Sequence, residues 1–550
     1  FGGRRQYCYN SEIYWDYTKK IVERILKHFG KEETIIAWQI DNELGHEGSD
    51  MCYCDTCHSK FQQFLKDKYQ NIDKLNTVYG TVFWGQTYND FSEIPLPKPT
   101  ITIHNPSLVL DWVRFRSNSI NNYGKMQIEL VKQLKGKDQE VTHNFFGGFF
   151  ERAYDQNVLA EELDFVSYDN YPVWGGLSEP LKPSHIAMTH DYIRGLKNKN
   201  YWIVEELMGA QGHNVIGYLP RPNQGKMWAY QAMAHGCENL LFFRWRGMTH
   251  GAEQFCSGII DQDNEEGRKY QEVKSFMMDA THYEKVIKED IKSEIAVIYD
   301  FDNIWSWHHQ QQSWEFNFTN ELMRLYTPFY NLNTNIDVIN NNKDFSKYKV
   351  LVIPVMQIID EDTGRRYREF IKKGGTILFS FRTGIKNRSN NLHFKQIIPY
   401  NLSDVIGIRI KEVEALHRNQ EVRIIGIGKW KDKEGKCRVW RDLIIPETAE
   451  VLYRYDDEFY KRNACITKNK YKKGTAYYVG GGVDDAILED IAKKIVEDNS
   501  IRYIESPKGL EVYIRDVDSE EWLFINNHTE KEIQFIGEVI EAYGSRIIKR

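Results

Sequence analysis

Apolar positions return with two different periods along the first 250 residues. From 12 to 29 (EIYWDYTKKIVERILKHF), Ile13, Ile21, Ile25 and Leu26 fall near one stripe at helical spacing, and Gly30 follows as a stop. Residues 34–43 (TIIAWQIDNE) are instead a continuous apolar run closing on polar residues, the pattern of a buried strand. The alternation then repeats. Helices are expected at 58–79, at 107–135 (as one helix or two), at 184–197 and at 224–236. Strands are expected at 140–147, 163–172, 201–206 and 239–246.

Strands alternating with helices predict a parallel sheet with helical crossovers. Each strand ends on polar or ionisable residues at its carboxyl end, the end at which eight-fold β/α barrels carry their active sites. Only five strand–helix units can be counted, however, and a closed barrel needs eight.

The texture changes after about 290. Strands at 293–300, 335–340, 348–354 and 374–381, helices at 316–330 and 360–373, and a last unit at 474–498 predict a separate open α/β domain over 291–500. Its glycine run, Gly480–Gly482, is weak as a phosphate-binding sign, and a turn is the expected reading. The final 501–550 alternates apolar and polar residues and predicts a small antiparallel β domain. The domain boundaries are thus set at 1–290, 291–500 and 501–550.

A length of 550 residues with 41% hydrophobic residues is enough for several cores. The net charge of −6 speaks against nucleic-acid and membrane-surface binding, which need a basic patch. No apolar run reaches the length of a membrane span, and the chain opens on FGGRRQYCYN with no leader pattern, so a cytoplasmic location is expected. Aromatics are abundant (14 Trp, 33 Tyr, 28 Phe), mostly for cores, with some available to stack on sugar rings. Three of the eight cysteines crowd into CYCDTC at 52–57. That spacing, with a fourth distant thiol, suits a tetrahedral zinc site better than disulfides. Nothing in the sequence pairs Cys237, Cys256, Cys437 or Cys465.

Two strand ends carry carboxylates. Asn42-Glu43 closes AWQIDNE, and Glu205-Glu206 closes YWIVEE. Successive strand residues face opposite ways, so one of Glu205 and Glu206 at most reaches a given site. Carboxylates on two strand ends across a barrel mouth meet the requirement of a glycosidase, in which one group protonates the leaving oxygen and the other supports the anomeric centre.

Several long stretches resemble the family 42 glycoside hydrolases, the zinc-containing β-galactosidases. They are IIAWQIDNELG through CYCDTCHSKFQQFL to FWGQTYNDFSEIPLP, then THNFFGGF, LDFVSYDNYP, PRPNQGKMWAYQAMAHGCENLLFFRWR and GAEQFCSGIIDQD. The resemblance implies a (β/α)8 barrel with the acid/base after strand four and the nucleophile after strand seven. Glu43 then closes strand four and the five units are strands four to eight. Strands one to three are expected upstream of Phe1, which makes the chain an N-terminally truncated fragment that should fold poorly as it stands. The family's nucleophile segment resembles E-Q-Q-S-G-P-G-G-W followed by P-R-P. Starting at Glu205 keeps Gly209, Gly212 and Pro220-Arg221-Pro222 in place, so Glu205 is the nucleophile, and Glu206 points away or sits on the rim.

The resemblance further implies that Asn42 binds the sugar 2-OH, that Arg4 lies near the nucleophile, and that Trp84, Phe243 and Glu253 line the galactose subsite. His213 stands where the family often has Trp, and Cys256 where a sugar-binding His is common, so an α-L-arabinopyranoside is kept as an alternative substrate. Cys8, Cys52, Cys54 and Cys57 match the family's structural zinc site, with His58 as a surface residue. A homotrimer through 291–500 is implied, with no organic cofactor. Two other readings stand beside the retaining β-galactosidase. One is a non-catalytic or degenerate carbohydrate-binding barrel. The other makes 291–500 a ligand-sensing module.

Overall fold

The computed structural model describes residues 3–146 and 153–550. The end of the strand expected at 140–147 and the glycines of THNFFGGF lie outside the described residues.

The first unit is an arc of parallel strands. β1 (Ala37–Gln39) pairs with β2 (Glu140–Thr142), and β3 (Asn144–Phe146) continues β2 after a break at His143. β4 (Ser167–Asn170), β5 (Tyr201–Glu206) and β6 (Cys237–Phe242) follow in order, each parallel to the last. Counting β2 and β3 as one interrupted strand, the arc has the five strands expected. Among the described residues, β1 and β6 each have one unpaired edge.

Helices α1 (Glu12–Phe29), α2 (Asp55–Tyr69), α3 (Ile72–Tyr79), α4 (Pro106–Leu134), α5 (Gln156–Glu162), α6 (Pro183–Lys197), α7 (Gln224–Ala234) and α8 (Arg268–His282) cover the arc. The single helix expected at 58–79 is two. Gln70 adopts φ +64° and Asn71 caps α3 by accepting from the Asp73 amide at 2.7 Å. The region 107–135 is one helix.

α1 corrects one expectation. Leu26 is buried, and Trp15 and Val22 pack beside it, but Ile13, Ile21 and Ile25 face outward with Tyr17 and Phe29. An exposed apolar stripe of this kind is suited to contact rather than to water. Gly30 ends α1 for a steric reason as well. A Cβ there would lie 2.4 Å from the Leu26 carbonyl oxygen and 2.8 Å from that of Leu134.

The second unit is a mixed sheet of eleven strands. Its parallel half runs 336–339, 295–298, 350–353, 376–380 and 474–479 in spatial order. Residues 408–471 extend it with antiparallel strands that the sequence pattern had not resolved. The glycine run is a packing device. A Cβ on Gly481 would lie 2.2 Å from the Trp440 carbonyl oxygen and 2.5 Å from Cys437 Sγ, which leaves no phosphate cradle. Cys437 and Cys465, which the sequence left unpaired, are free and fully buried here, and the Cys437 thiol donates to the Trp440 carbonyl at 3.2 Å. The third unit is a three-stranded antiparallel sheet of 510–517, 520–527 and 545–549.

α6 joins the units. It is buried along its length, and Gly195 backs onto the strand 336–339 so closely that a Cβ would lie 1.9 Å from the Val338 carbonyl oxygen. Arg194 donates to Asp191 at 2.8 Å and to Asp337 at 2.9 Å, linking α6 to the second unit. At the end of α7, His235 donates from Nδ1 to Asp191 and from Nε2 to Glu511, each at 2.7 Å, and His528 donates to the other Glu511 oxygen at 2.8 Å.

Burial opposes a charge on His235, but Asp191 and Glu511 outweigh it and raise its pKa from 6.5 to about 8. A raised histidine stabilises the fold fully below its unfolded value and loses that contribution as pH rises through the folded one. The difference is worth about 2 kcal/mol. The first melting transition should therefore fall between pH 6.5 and pH 9, and His235→Gln should flatten that dependence. Equal slopes in wild type and variant, followed by calorimetry, would refute the role.

Candidate active site

β1 is short because the chain turns sharply at its end. Asp41 and Glu43 take φ +48° and +41°, followed by Gly45 at +80°. Non-glycine residues in this region cost of order 1 kcal/mol each, so the surroundings must hold them. The break between β2 and β3 does so. Asn144 Oδ1 accepts from the Glu43 amide at 3.0 Å, and His143 Nε2 accepts from the Leu44 amide at 3.2 Å. His143 Nδ1 faces the Ile40 carbonyl at 2.9 Å and donates to it. Burial keeps this imidazole neutral, as an accepting Nε2 requires. Tyr9 Oη accepts from the Gly45 amide at 2.7 Å.

The Glu43 carboxyl, held in this turn, meets Asn42 Nδ2 at 3.2 Å and the guanidinium of Arg5. Here the structure adds an arginine that the sequence reading did not name. Arg5, 7% exposed at its side chain, is the arginine seated on Glu43. Arg4 is half exposed, binds Glu47 through two 2.9 Å bonds, and comes no nearer to Glu43 than 3.8 Å. Arg4 still acts on Glu205 and Glu253 through its charge.

β5 settles which glutamate faces the mouth. Tyr201 points outward to the helices, its hydroxyl 2.8 Å from His190 on α6. Strict alternation would send Glu205 the same way. But Tyr168 pairs with Ile203 and Asp169 with Glu205, so Val204 is an extra residue, a bulge that reverses the phase. Glu205 therefore turns into the mouth, where Tyr171 Oη donates to its Oε2 at 2.6 Å. Burial raises its pKa, the Tyr171 bond lowers it, and Glu43 and Glu253 raise it further, for a net upward shift.

Glu206 lies on the helix side. It is fully buried, accepts from Asn170 Nδ2 at 2.7 Å and from the Leu207 amide at 3.1 Å, and burial raises its pKa to about 8. It points away from the site, as expected, but it sits in the interior and not on the rim.

The far wall follows β6. The Phe243 amide donates to the Glu206 carbonyl at 2.8 Å, and the Arg244 guanidinium lies 4.2 Å from the Phe243 ring and binds Glu253. His213 Nε2 is 3.9 Å from Glu253 Oε1, and its ring meets Trp174 edge-on at 5.3 Å. Trp174 in turn meets Tyr171 at 5.1 Å. Phe243, Glu253, His213 and Glu205 thus share one wall. Cys256 is buried, with its thiol 3.7 Å from the Gly212 carbonyl oxygen, behind that wall. Trp84 is not brought to the carboxylates within this chain. It sits 64% exposed at φ +58°, stacked on Phe83 at 4.8 Å.

Sequence reasoning missed Arg5, Glu47, Asn144, Asp169, Tyr171 and Trp174. Tyr171 and Asp169 stand in YDNYP, a polar strand end that was noticed without a role.

Cys8, Cys52, Cys54 and Cys57 form a cluster whose sulfurs lie within 4.8 Å of one another. Cys8 is 3.4 Å from Cys57 and 3.7 Å from Cys54. A tetrahedral metal with 2.3 Å bonds needs sulfurs about 3.8 Å apart, so the set fits. Asn10 adds N–H donors to Cys8 at 3.3 Å and to Cys57 at 3.4 Å, which suit thiolates. His58 turns to the Ile94 carbonyl at 2.9 Å and stays out of the cluster. These four residues could hold a metal ion.

Facing carboxylates at the carboxyl ends of barrel strands, walled by aromatics and polar donors, define a site of the glycoside hydrolase class. Residues 1–282 match the family 42 glycoside hydrolase model, described as β-galactosidase, and 293–502 match the β-galactosidase trimerisation domain. The chain is 32% identical over 536 residues to β-galactosidase BgaA of Clostridium cellulovorans, covering 96% of this chain and 79% of that one. It is also 32% identical to β-galactosidase Pbg of Clostridium perfringens, with 83% of that protein covered. Among solved structures, the β-galactosidase of Bacillus circulans sp. alkalophilus superposes with a TM-score of 0.94 at 29% identity, covering 100% of this chain and 84% of that one. The chain belongs to the family 42 glycoside hydrolases. Among the described residues, no helix is long and apolar enough to cross a membrane.

Proposed function

We propose that this protein is a retaining exo-β-galactosidase, with Glu205 as nucleophile and Glu43 as acid/base. The observation that carries the reading is the bulge at Val204, which turns Glu205 toward Glu43 so that each carboxylate lies in the other's field. In the first step Glu205 attacks the anomeric carbon while Glu43 passes its proton to the departing oxygen. In the second, Glu43 takes a proton from water, whose oxygen displaces Glu205 and restores both groups. Asn42 is placed beside Glu43 to bind the sugar 2-OH, and Phe243, Glu253 and His213 form the sugar wall. Cys256 is buried with its thiol on the Gly212 carbonyl, and an α-L-arabinopyranoside stays the alternative substrate. The test compares chromogenic β-galactoside with α-L-arabinopyranoside as substrates of the protein. A higher kcat/KM on the galactoside supports the reading, and turnover of neither refutes it.

The four-cysteine cluster is proposed to hold a structural zinc that pins the Arg4–Arg5 segment to α2. The ion would crosslink the chain and take no part in the chemistry. Chelation, or Cys54→Ser, should release about one zinc per chain and lower the first melting transition by several degrees, on the order of 5 °C. Metal analysis with thermal scans checks this, and unchanged melting after metal loss would refute it. The trimerisation-domain match supports a homotrimer, which light scattering tests. A cytoplasmic location accords with the reading and awaits fractionation.

A further inference from the structure

The mouth holds a third carboxyl beside those of Glu43 and Glu205. Asp169 lies on β4 directly opposite Glu205 in the strand register and is 5% exposed. We propose that Asp169 is a positioning residue of the reaction, whose carboxyl anchors the amide chain that aims Glu43 and offers Glu43 a hydrogen bond. The inference rests on the glycosidase reading of the site.

Asn144 is the hub of this network. Its Nδ2 donates to Asp169 Oδ2 at 2.7 Å and to Asn42 Oδ1 at 3.0 Å, and its Oδ1 accepts from the Glu43 amide at 3.0 Å. Asn42 in turn donates to the Glu43 carboxyl. An amide can rotate by half a turn and exchange oxygen for nitrogen. Asp169 and the Glu43 amide together forbid the exchange, because only an N–H can face the one's acceptor oxygen and only an oxygen can accept from the other. Its bond anchors the far end of the chain that orients Asn144, Asn42 and the strained Glu43 backbone.

The second Asp169 oxygen, Oδ1, is buried without a donor to accept from. The carboxyl of Glu43 also acts on it and favours its neutral form. Two neighbouring carboxylates repel, and the pair is favourable only if one carries a proton. The groups acting on Asp169 are Glu205, Glu43 and Asn144, with no arginine or lysine among the main ones. Burial and the two glutamates all favour its neutral form. Asp169 thus serves as a carboxylic acid that keeps its proton through the cycle and donates toward Glu43. The proton is shared and not transferred, so the overall hydrolysis balances without it.

The test is the pH dependence of kcat/KM for Asp169→Asn and Asp169→Ala, with rates expressed per active site by burst titration. Asn keeps both an acceptor for Asn144 and a donor for Glu43. It should retain kcat within about five-fold and leave the alkaline limb in place. Ala should lower kcat about 100-fold with little change in KM and move the alkaline limb upward, because Glu43 loses a donor to its ionised form. If Asp169 acted as a negative charge, Asn would move that limb downward, which would overturn the proposal. So would an Ala variant with the wild-type profile. If Ala fails to fold, the Asn profile alone decides. Glu205→Ala is measured in parallel. If it stays fully active, the glycosidase reading itself has failed, and the two failures are told apart.

Discussion

Glu205→Ala is expected to lower kcat on an aryl β-galactoside by at least about four orders of magnitude, while Glu206→Gln stays within about three-fold of wild type. The two residues are neighbours in sequence and differ in everything that matters to chemistry. Glu205 faces the mouth, receives the Tyr171 hydroxyl at 2.6 Å and lies in the field of Glu43. Glu206 is buried behind the strand with its proton retained at neutral pH, and a glutamine reproduces that uncharged state. Azide added to Glu205→Ala should restore turnover by filling the vacated space, and the product should be the α-galactosyl azide. Glu205 must be ionised to attack and its pKa is raised, so the acid limb of the wild-type profile should lie above the ordinary carboxylate range. A fully active Glu205→Ala, or an inactive Glu206→Gln, would reverse the assignment.

The second large effect belongs to Glu43. Its replacement by alanine should cost about 10³-fold in kcat/KM on an alkyl galactoside, whose leaving oxygen needs the proton. The cost should be far smaller on a dinitrophenyl galactoside, whose leaving group departs as an anion. Azide with this variant should give the β-galactosyl azide, since it replaces water in the second step. Loss of the same size for both leaving groups would exclude Glu43 as the acid. Arg5 bears on this prediction, because its guanidinium sits on the Glu43 carboxyl. Arg5→Ala should free that carboxyl and weaken turnover, whereas Arg4→Ala, at the exposed rim, should do so less.

Much of the fold was legible because strand ends and helix stripes have simple periods. The five strands of the arc, the parallel half of the second sheet and the terminal β sheet all follow from them. What escaped was local and steric. Periodicity identified an apolar face on α1 but not which way it would turn, since Leu26 buries and Ile21 does not. A period of two would have aimed Glu205 outward with Tyr201, and only the extra residue Val204 brings it into the mouth. The doublet Arg4-Arg5 offers two identical side chains, and only in the fold does Arg5, at φ +64°, turn inward onto Glu43. Asp169 carries no signal of its own. It is one polar residue in a strand end, and its weight comes from Asn144, Glu43 and Glu205, which stand far from it in the chain. Trp84 shows the limit of matching residues one by one, since the residue is present but its ring lies at the surface of this chain.

The central claim is that Glu205 attacks the anomeric carbon and Glu43 manages the proton. Its most direct test is the configuration of the first sugar released, followed by proton NMR before mutarotation. β-Galactose is expected first from a β-galactoside, with the α-anomer growing in only later. α-Galactose as the first product would mean direct attack by water, and would contradict it.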